Sequence, residues 1–222
     1  MIRKQTAYSG NSYIGMFAET NNEVTLVPLD ASEKFKSAIE ENLKTRTIPL
    51  MIANSNLIGI YTIMNSNGVI LPNVVEEEEI KKVKETGLNV YVSKDLHNAN
   101  GNNIVVNDKG GIISIRISDY ERKKIGDTLG IELHPMKIAE HVTVGSCCIA
   151  NNKGFLSHFR ANETELQVME EFLKVKGGVG TINMGAGCVS LGVLANDHSY
   201  VIGMETTAFE AGRIEEALGF LG

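Results

Sequence analysis

The 222-residue sequence predicts an α/β fold, a five-unit α/β propeller with pseudo-fivefold symmetry. Three observations point to it. A polar turn beginning with Asn recurs five times, a helix-capping pair follows each turn at a nearly constant distance, and apolar runs of strand type flank every turn. The turns are Asn21-Asn22-Glu23, Asn65-Ser66-Asn67-Gly68, Asn107-Asp108-Lys109-Gly110, Asn151-Asn152-Lys153-Gly154 and Asn196-Asp197-His198-Ser199. Their first residues are spaced by 44, 42, 44 and 45 positions.

The unit is read in chain order. Strand-like runs precede the turns at 13–18, 57–64, 103–106, 142–150 and 189–195, and others follow at 24–27, 69–71, 111–117, 155–159 and 200–204. Asn-rich, Gly-containing turns suit hairpins, where positive φ is needed. The capping pairs come next: Asp30…Glu33, Asn73…Glu76, Ser118…Glu121, Asn162…Glu165 and Thr207…Glu210. A cap side chain accepts from the N3 amide while Glu reaches back to the cap amide, satisfying two orphan donors at a helix start. Each cap opens an amphipathic segment with Phe35, Ile39 and Leu43; Ile80 and Val83; Ile125 and Leu129; Leu166, Met169, Phe172 and Leu173; or Ile214 and Leu218 on one face. A short strand such as 48–52 or 90–92 completes the unit.

A unit of about 44 residues cannot bury its own apolar face, so neighbours must stack. An open stack needs polar end units. Here the end units resemble the middle ones, which favours closure into a ring. The whole of 1–222 is expected to be one domain, with units near 1–53, 54–98, 99–141, 142–186 and 187–222.

Composition narrows the function. Apolar residues make up 43% and charged residues 22%, ordinary for a globular chain. The net charge of −6 argues against gripping bare nucleic acid, which needs clustered cations. Residues 1–15 contain no apolar h-region, and the apolar-rich stretch 48–64 is broken by Asn54, Ser55 and Asn56. The expectation is a cytoplasmic protein. Three cysteines, two adjacent, make no disulfide framework.

The candidate chemistry is sparse. Cys188 sits in a Gly-rich stretch, yet no His stands one residue from an acid to activate it. It reads as a small strand residue. Cys147 and Cys148 on a strand would face opposite ways, and Cys/His metal spacing is absent. Neither a metal nor a cofactor is expected. The Gly-rich run 176–187 lacks the Gly-Lys-Ser/Thr ending of a phosphate loop and reads as a plain loop. The acids 76–79 fall in the first turn of a predicted helix, where the dipole favours anions, rather than at a calcium site.

What remains is a glycine recurring before each inner strand, at Gly15, Gly59, Gly101 and Gly145, with Ser190 in the fifth unit. In a ring these positions share one edge. The polar, uncharged segment 98–103 beside them is a candidate protein-binding surface.

The chain resembles the translation initiation factor 6 family, the ribosome anti-association factors, in its archaeal form. The resemblance spans the chain through Asn67-Gly-Val-Ile-Leu-Pro72 followed by acids, Asn107-Asp-Lys-Gly110, Val144-Gly-Ser146, Asn151-Asn-Lys-Gly154, Gly180-Thr-Ile-Asn-Met-Gly185, Glu205-Thr-Thr207 and Ala217-Leu-Gly-Phe220. It departs at Ala99-Asn100-Gly101-Asn102, where the family has Leu second, and at Phe159, where the family has Pro after His158. The sequence stops at Gly222, without the phosphorylatable tail of eukaryotic members.

The resemblance implies the pentein-type propeller and a non-enzymatic role. Such a factor binds the intersubunit face of the large ribosomal subunit, mainly through a ribosomal protein near the sarcin–ricin loop with limited rRNA contact, and excludes the small subunit by volume. Gly101 and Asn102 match the family's contact motif, with Asn103 beside them. By pseudo-symmetry Gly15, Gly59, Ile60, Gly145 and Ser146 join them as partner-binding candidates. The alternatives are a guanidine-modifying pentein enzyme using Cys188, and a scaffold for another protein. Ring closure, leaving no unpaired edge, implies a monomer.

Overall fold

A computed structural model describes residues 4–221. Residues 1–3 and 222, on which part of the reading of the chain ends rests, lie outside the described residues. After β1 (Gln5–Thr6), the chain repeats a five-part unit of turn helix, inner strand, middle strand, long helix and outer strand. The first unit is Ile14–Met16, β2 (Glu19–Thr20), β3 (Val24–Pro28), Glu33–Leu43 and β4 (Arg46–Leu50). The second is Ile58–Tyr61, β5 (Ile63–Met64), β6 (Gly68–Leu71), Glu77–Lys84 and β7 (Asn89–Val92). The third is Asn100–Asn103, β8 (Ile104–Val106), β9 (Gly111–Ser114), Asp119–Leu129 and β10 (Leu133–Met136). The fourth is Val144–Cys147, β11 (Cys148–Ala150), β12 (Phe155–His158), Glu163–Leu173 and β13 (Gly177–Gly180). The fifth is Val189–Gly192, β14 (Val193–Ala195), β15 (Tyr200–Gly203) and Ala208–Ala217.

These strands form five three-stranded sheets. Each middle strand runs antiparallel to its inner strand across the Asn turn and parallel to its outer strand, which the long helix makes reachable. The fifth sheet takes its outer strand from the other end of the chain, because β1 pairs with β15.

The Asn turns hold for a physical reason. Each leading Asn accepts two following amides on Oδ1, as Asn107 does from Lys109 at 2.8 Å and Gly110 at 3.0 Å. Its Nδ2 donates to the carbonyl of the leading Asn in the next unit. Asn21 reaches Asn65, Asn65 reaches Asn107, Asn107 reaches Asn151, Asn151 reaches Asn196, and Asn196 returns to Asn21, at 3.0 to 3.3 Å. Four of these amides also serve an orphan carbonyl at the end of a long helix, at Leu129, Leu173, Leu218 and Leu43. Five buried amides thus form a closed circle of hydrogen bonds.

The core is divided in the same way. Each long helix packs between its own sheet and the sheet of the unit before it. Val83 lies among Leu26 and Ile48 of the first unit and Val69 and Leu71 of the second. Phe35, Ile39 and Leu43 lie between Val27 of the first unit and Leu194 and Val201 of the fifth. Clusters around Ile125, Met169 and Ile214 fill the remaining three interfaces.

Several expectations need correction. The runs 57–64, 142–150 and 189–195 are strands only in their second halves, after a turn helix; 13–18 holds the first turn helix and ends before β2, and 103–106 is strand from Ile104 onward. Glycine and apolar residues read as strand there, but their packing at the centre, described below, favours a helical turn. Cys147 ends the fourth turn helix and Cys148 begins β11, so the pair does not share one strand. Cys188 is the cap residue of the fifth turn helix rather than a strand residue. The Gly-rich run 176–187 is not simply a loop, since β13 lies within it.

Two caps also shift. The first long helix is capped by Ser32, which accepts from Phe35 N at 3.3 Å, because Asp30 is occupied by the Tyr8 hydroxyl. The second is capped by Glu76 in a reciprocal box with Glu79, because Asn73 donates to Asp95 O at 3.1 Å. Ser118 caps as expected. Its partner Glu121 instead turns to Ser93 Oγ at 3.0 Å and Lys94 N at 3.1 Å in the second unit. Asn162 with Glu165 and Thr207 with Glu210 form the full boxes read from the sequence.

Candidate functional site

All eight candidate partner-binding residues lie on the turn helices. Gly15 is on the first, Gly59 and Ile60 on the second, Gly101, Asn102 and Asn103 on the third, and Gly145 and Ser146 on the fourth. Successive turn helices pack on one another, and the fifth packs back on the first. A Cβ on Gly59 would overlap the Gly15 carbonyl oxygen, one on Gly101 that of Gly59, one on Gly145 that of Gly101, and one on Gly15 that of Ser190. The glycines are there because backbone meets backbone, not merely because the chain turns into a strand.

The loops leading into these helices are held by the caps of the long helices. Glu79 accepts from Ala53 N at 2.7 Å and Asn54 N at 2.9 Å, and Glu165 from Ala139 N at 2.8 Å. Ala53, Asn54 and Ala139 all have positive φ, so each bond pins a strained backbone segment. Glu210 braces the fifth loop through Met184 N and Gly185 N. Burial works to raise its carboxyl, but bonds from Thr207, Thr181 and Gly185 outweigh this and hold it below the usual range.

The structure separates the candidates by what a partner can touch. Gly15, Gly59, Asn103, Gly145 and Ser146 are buried; Ile60, Gly101 and Asn102 are half-buried. Asn103 donates to Ala99 O at 2.9 Å, and Ser146 to Thr143 O at 2.7 Å, so both are spent locally. Asn102 differs, because its Oδ1 is buried with no hydrogen-bond partner. The sequence reading passed over Asn100. It is buried and donates to Tyr61 O at 3.1 Å, tying the third turn helix to the second. Its position between Ala99 and Gly101, where the resembling family carries Leu, was the available signal.

The middle strands end toward this same end of the sheets, since they run antiparallel to the inner strands. The residues just past them include Leu29, Ile115, Phe159 and Met204, all exposed. The turn helices therefore share their end of the molecule with scattered exposed apolar side chains.

Below the turn helices lies a cavity of about 70 Å³, lined by the ring glycines, Ser190 and the inner strands. Ile63, Val105, Ile149 and Leu194 line it two residues before their Asn turns, and Glu19 occupies the same place in the first unit. Burial pushes the Glu19 carboxyl up to about 8, although Met64 N donates to it at 3.2 Å. Between the unfolded carboxyl value near about 4.3 and that folded value, the folded chain retains a proton that the unfolded chain releases. Stability must therefore fall as pH rises through this window. Glu19→Gln, neutral throughout, is expected to match the parent melting temperature at pH 4 and exceed it by several degrees at pH 9. Calorimetry across that range checks it, and a constant offset would show that the carboxyl does not change charge there.

Cys188 is half-buried, and the side chain of Cys147, then Ser146 and His141, hold its thiol down to about 6 against the opposing effect of burial. No carboxylate is among the groups that act on it. Among the described residues, no group of three or more His, Cys, Asp or Glu is placed to hold a metal ion.

Comparison with known proteins bears on this arrangement directly. A family model described as the eIF-6 family matches residues 3–217. Translation initiation factor 6 of Pyrobaculum arsenaticum is 38% identical over 210 residues, covering 95% of this chain and 96% of the relative. The protein of the same name from Methanocaldococcus jannaschii is 36% identical over 228 residues, covering 100% and 99%. That from Thermoplasma acidophilum is 37% identical, covering 98% and 100%.

Proposed function

This chain belongs to the eIF-6 family, and from that premise we propose that it acts in translation initiation by binding the intersubunit face of the large ribosomal subunit, where its bulk keeps the small subunit from joining. A part in ribosome biogenesis follows from the same attachment. The chain is read as one domain, a pentein-type propeller, cytoplasmic and monomeric. The circle of five Asn side chains and the five inter-unit cores support closure. Among the described residues, no helix is long and apolar enough to cross a membrane.

The observation that carries the docking surface is Asn102, half-buried on the third turn helix, whose buried Oδ1 has no hydrogen-bond partner. A buried acceptor without a partner costs stability, and rotation of this half-buried side chain on docking would let a partner's donor relieve it. Ile60 and the exposed Leu29, Ile115, Phe159 and Met204 supply apolar contact at the same end. A net charge of −6 suits a basic ribosomal protein, of the kind near the sarcin–ricin loop, better than extended rRNA.

Sedimentation of archaeal subunits through sucrose gradients tests the reading. The protein is expected to travel with large subunits alone and to reduce the joined-ribosome peak. Asn102→Arg is expected to weaken co-sedimentation about tenfold or more, by steric bulk and by repulsion from a basic partner, at an unchanged melting temperature. A parent protein that stays at the top of the gradient while subunits join normally would defeat the proposal and favour a scaffold for another partner. Undiminished binding by Asn102→Arg would move the surface elsewhere.

A further inference from the structure

We propose that the outer edge of β13 is a docking site for an extended acidic segment of another protein, which joins the fourth sheet as an added strand. Each sheet ends at an outer strand, and four of these, β4, β7, β10 and β13, have four or five residues. In a parallel pair, alternate residues turn both backbone groups toward the neighbour, and the residues between them turn theirs outward. Lys176 O accepts from Phe155 N at 3.2 Å, so Lys176, Gly178 and Gly180 face β12, while Gly177 and Val179 face out. The same alternation leaves Thr47 and Pro49 outward on β4, Val90 and Val92 on β7, and Leu133 and Pro135 on β10.

Two of these edges are closed by their own sequence. On β4 the Thr47 amide is taken by Glu40 Oε1 at 3.1 Å, and Pro49 has no N–H to offer. On β10 the Leu133 carbonyl is taken by Arg122 Nη1 at 3.2 Å, and Pro135 again has no N–H. Proline and charged side chains at an edge keep further strands from pairing there. On β13 the closure is incomplete. Arg213 Nη2 reaches the Val179 carbonyl, at a long 3.4 Å. Among the described residues, no protein group bonds to the Gly177 N–H, the Gly177 carbonyl or the Val179 N–H. β7 is also open, but it carries a side chain at every position, whereas β13 carries one in four, so an added strand can lie closer against β13.

The charge beside the edge selects the occupant. A hollow of about 230 Å³ opens beside Gly177 and Gly178, toward the last long helix. Its charged lining is Lys153, Lys176 and Arg213 against Glu216, a cationic spot on a chain of net charge −6. Arg213 is paired with Glu216 and Lys176 with Glu170. Lys153 is exposed, makes no ion pair among the described residues, and lies 5.5 Å from the centre of the Phe220 ring. Glu170 and Glu171 stand on the fourth long helix, at the other face of the sheet. An added strand alternates its side chains between the two faces. The matching segment therefore carries acids at alternate positions, toward Lys153 and Arg213, with uncharged residues between them. A second copy of this chain is a poorer occupant, because two β13 edges would bring two such cationic spots together. The site rests on none of the contacts assigned to Asn102.

The test uses the whole isotope-labelled protein and, as probe, a blocked peptide of alternating Glu and Val. Amide spectra are expected to show saturable shifts at Gly177, Gly178 and Val179. Hydrogen exchange at the Gly177 and Val179 amides, fast in the free protein, is expected to slow about tenfold or more on binding. A peptide with Lys in place of Glu, and one with the same residues in Glu-Glu-Val-Val order, are each expected to bind at least about tenfold more weakly. Val179→Pro removes an outward N–H and no ladder bond, and is expected to abolish the shifts. Lys153→Glu, an exposed change that leaves the fold untouched, is expected to weaken binding about tenfold. Four results would overturn the proposal: Gly177 and Val179 amides as protected in the free protein as those of Gly178 and Gly180, no saturable shift at β13 or shifts centred on Val90 and Val92, equal binding by the Lys peptide, or the same shifts on concentrating the protein alone, which would give the edge to a second copy.

Discussion

Gly59→Ala is expected to destabilise the fold by about 3 kcal/mol or more, at or beyond the upper end of ordinary overpacking. The added methyl would overlap the Gly15 carbonyl oxygen and lie 2.5 Å from that of Ala18. Both atoms are backbone of the first unit, one in its turn helix and one just past it, so no side-chain rotation relieves the clash. The turn helix could move only by displacing the next in the ring. A loss of that size corresponds to a fall in melting temperature of about 10 °C for a chain this long. Gly212→Ala is the control. It lies within the last long helix with open space around its Cβ, and it is expected to be neutral or to gain up to about 1 kcal/mol. If Gly59→Ala melted with the parent, the close approach in the ring would be wrong.

Asn107→Ala is expected to cost about 4 kcal/mol. The side chain makes four bonds in a buried site, two from Nδ2 to the Asn151 and Leu173 carbonyls and two to Oδ1 from Lys109 and Gly110. Removing it strands two acceptors and two donors, each worth about 1 kcal/mol or more where water cannot replace the bond. The loss reaches two units, since the carbonyls belong to the fourth and the amides to the third, while Asn65 of the second still donates to Asn107 O. Urea unfolding, with midpoint and slope compared against the parent, measures it. A loss under about 1 kcal/mol would mean that water enters the circle and substitutes.

Much of the architecture was legible because a repeat multiplies weak signals. One Asn turn says little; five in step with five capping motifs locate hairpins and long helices, as Phe35, Ile125 and Ile214 illustrate. The cap register slipped at Asp30 and Asn73 because each side chain is recruited by a residue 22 positions away, Tyr8 and Asp95, and such tertiary demands leave no local trace. The turn helices escaped because four residues carry no helical period, and Ile-Gly-Ile-Tyr reads as strand. The recurring glycine was noticed, but its cause, a carbonyl from the unit before, exists only once the ring is assembled. For the same reason the spacing selected Gly15, Gly59 and Gly145 as contact residues, although packing hides them and leaves Asn102 and Ile60 nearer the surface.

The pairing of β1 with β15 has a consequence for how the chain is made. During synthesis the first four units can build three interfaces in order, each between segments some forty residues apart. The last interface joins residues as far apart as Asn21 and Asn196, 175 positions along the chain, and cannot begin until the fifth unit has emerged. Until then Phe35, Ile39 and Leu43 lack the Leu194 and Val201 surface that completes their cluster, and β15 lacks its parallel neighbour. The nascent protein is thus an open crescent with a sticky seam at each end. Closing it incurs the largest loop entropy of the molecule, late and in a single event. Where two crescents meet before either has closed, the β1 of one can complete the fifth sheet of the other, so local concentration decides between a ring and an exchanged pair.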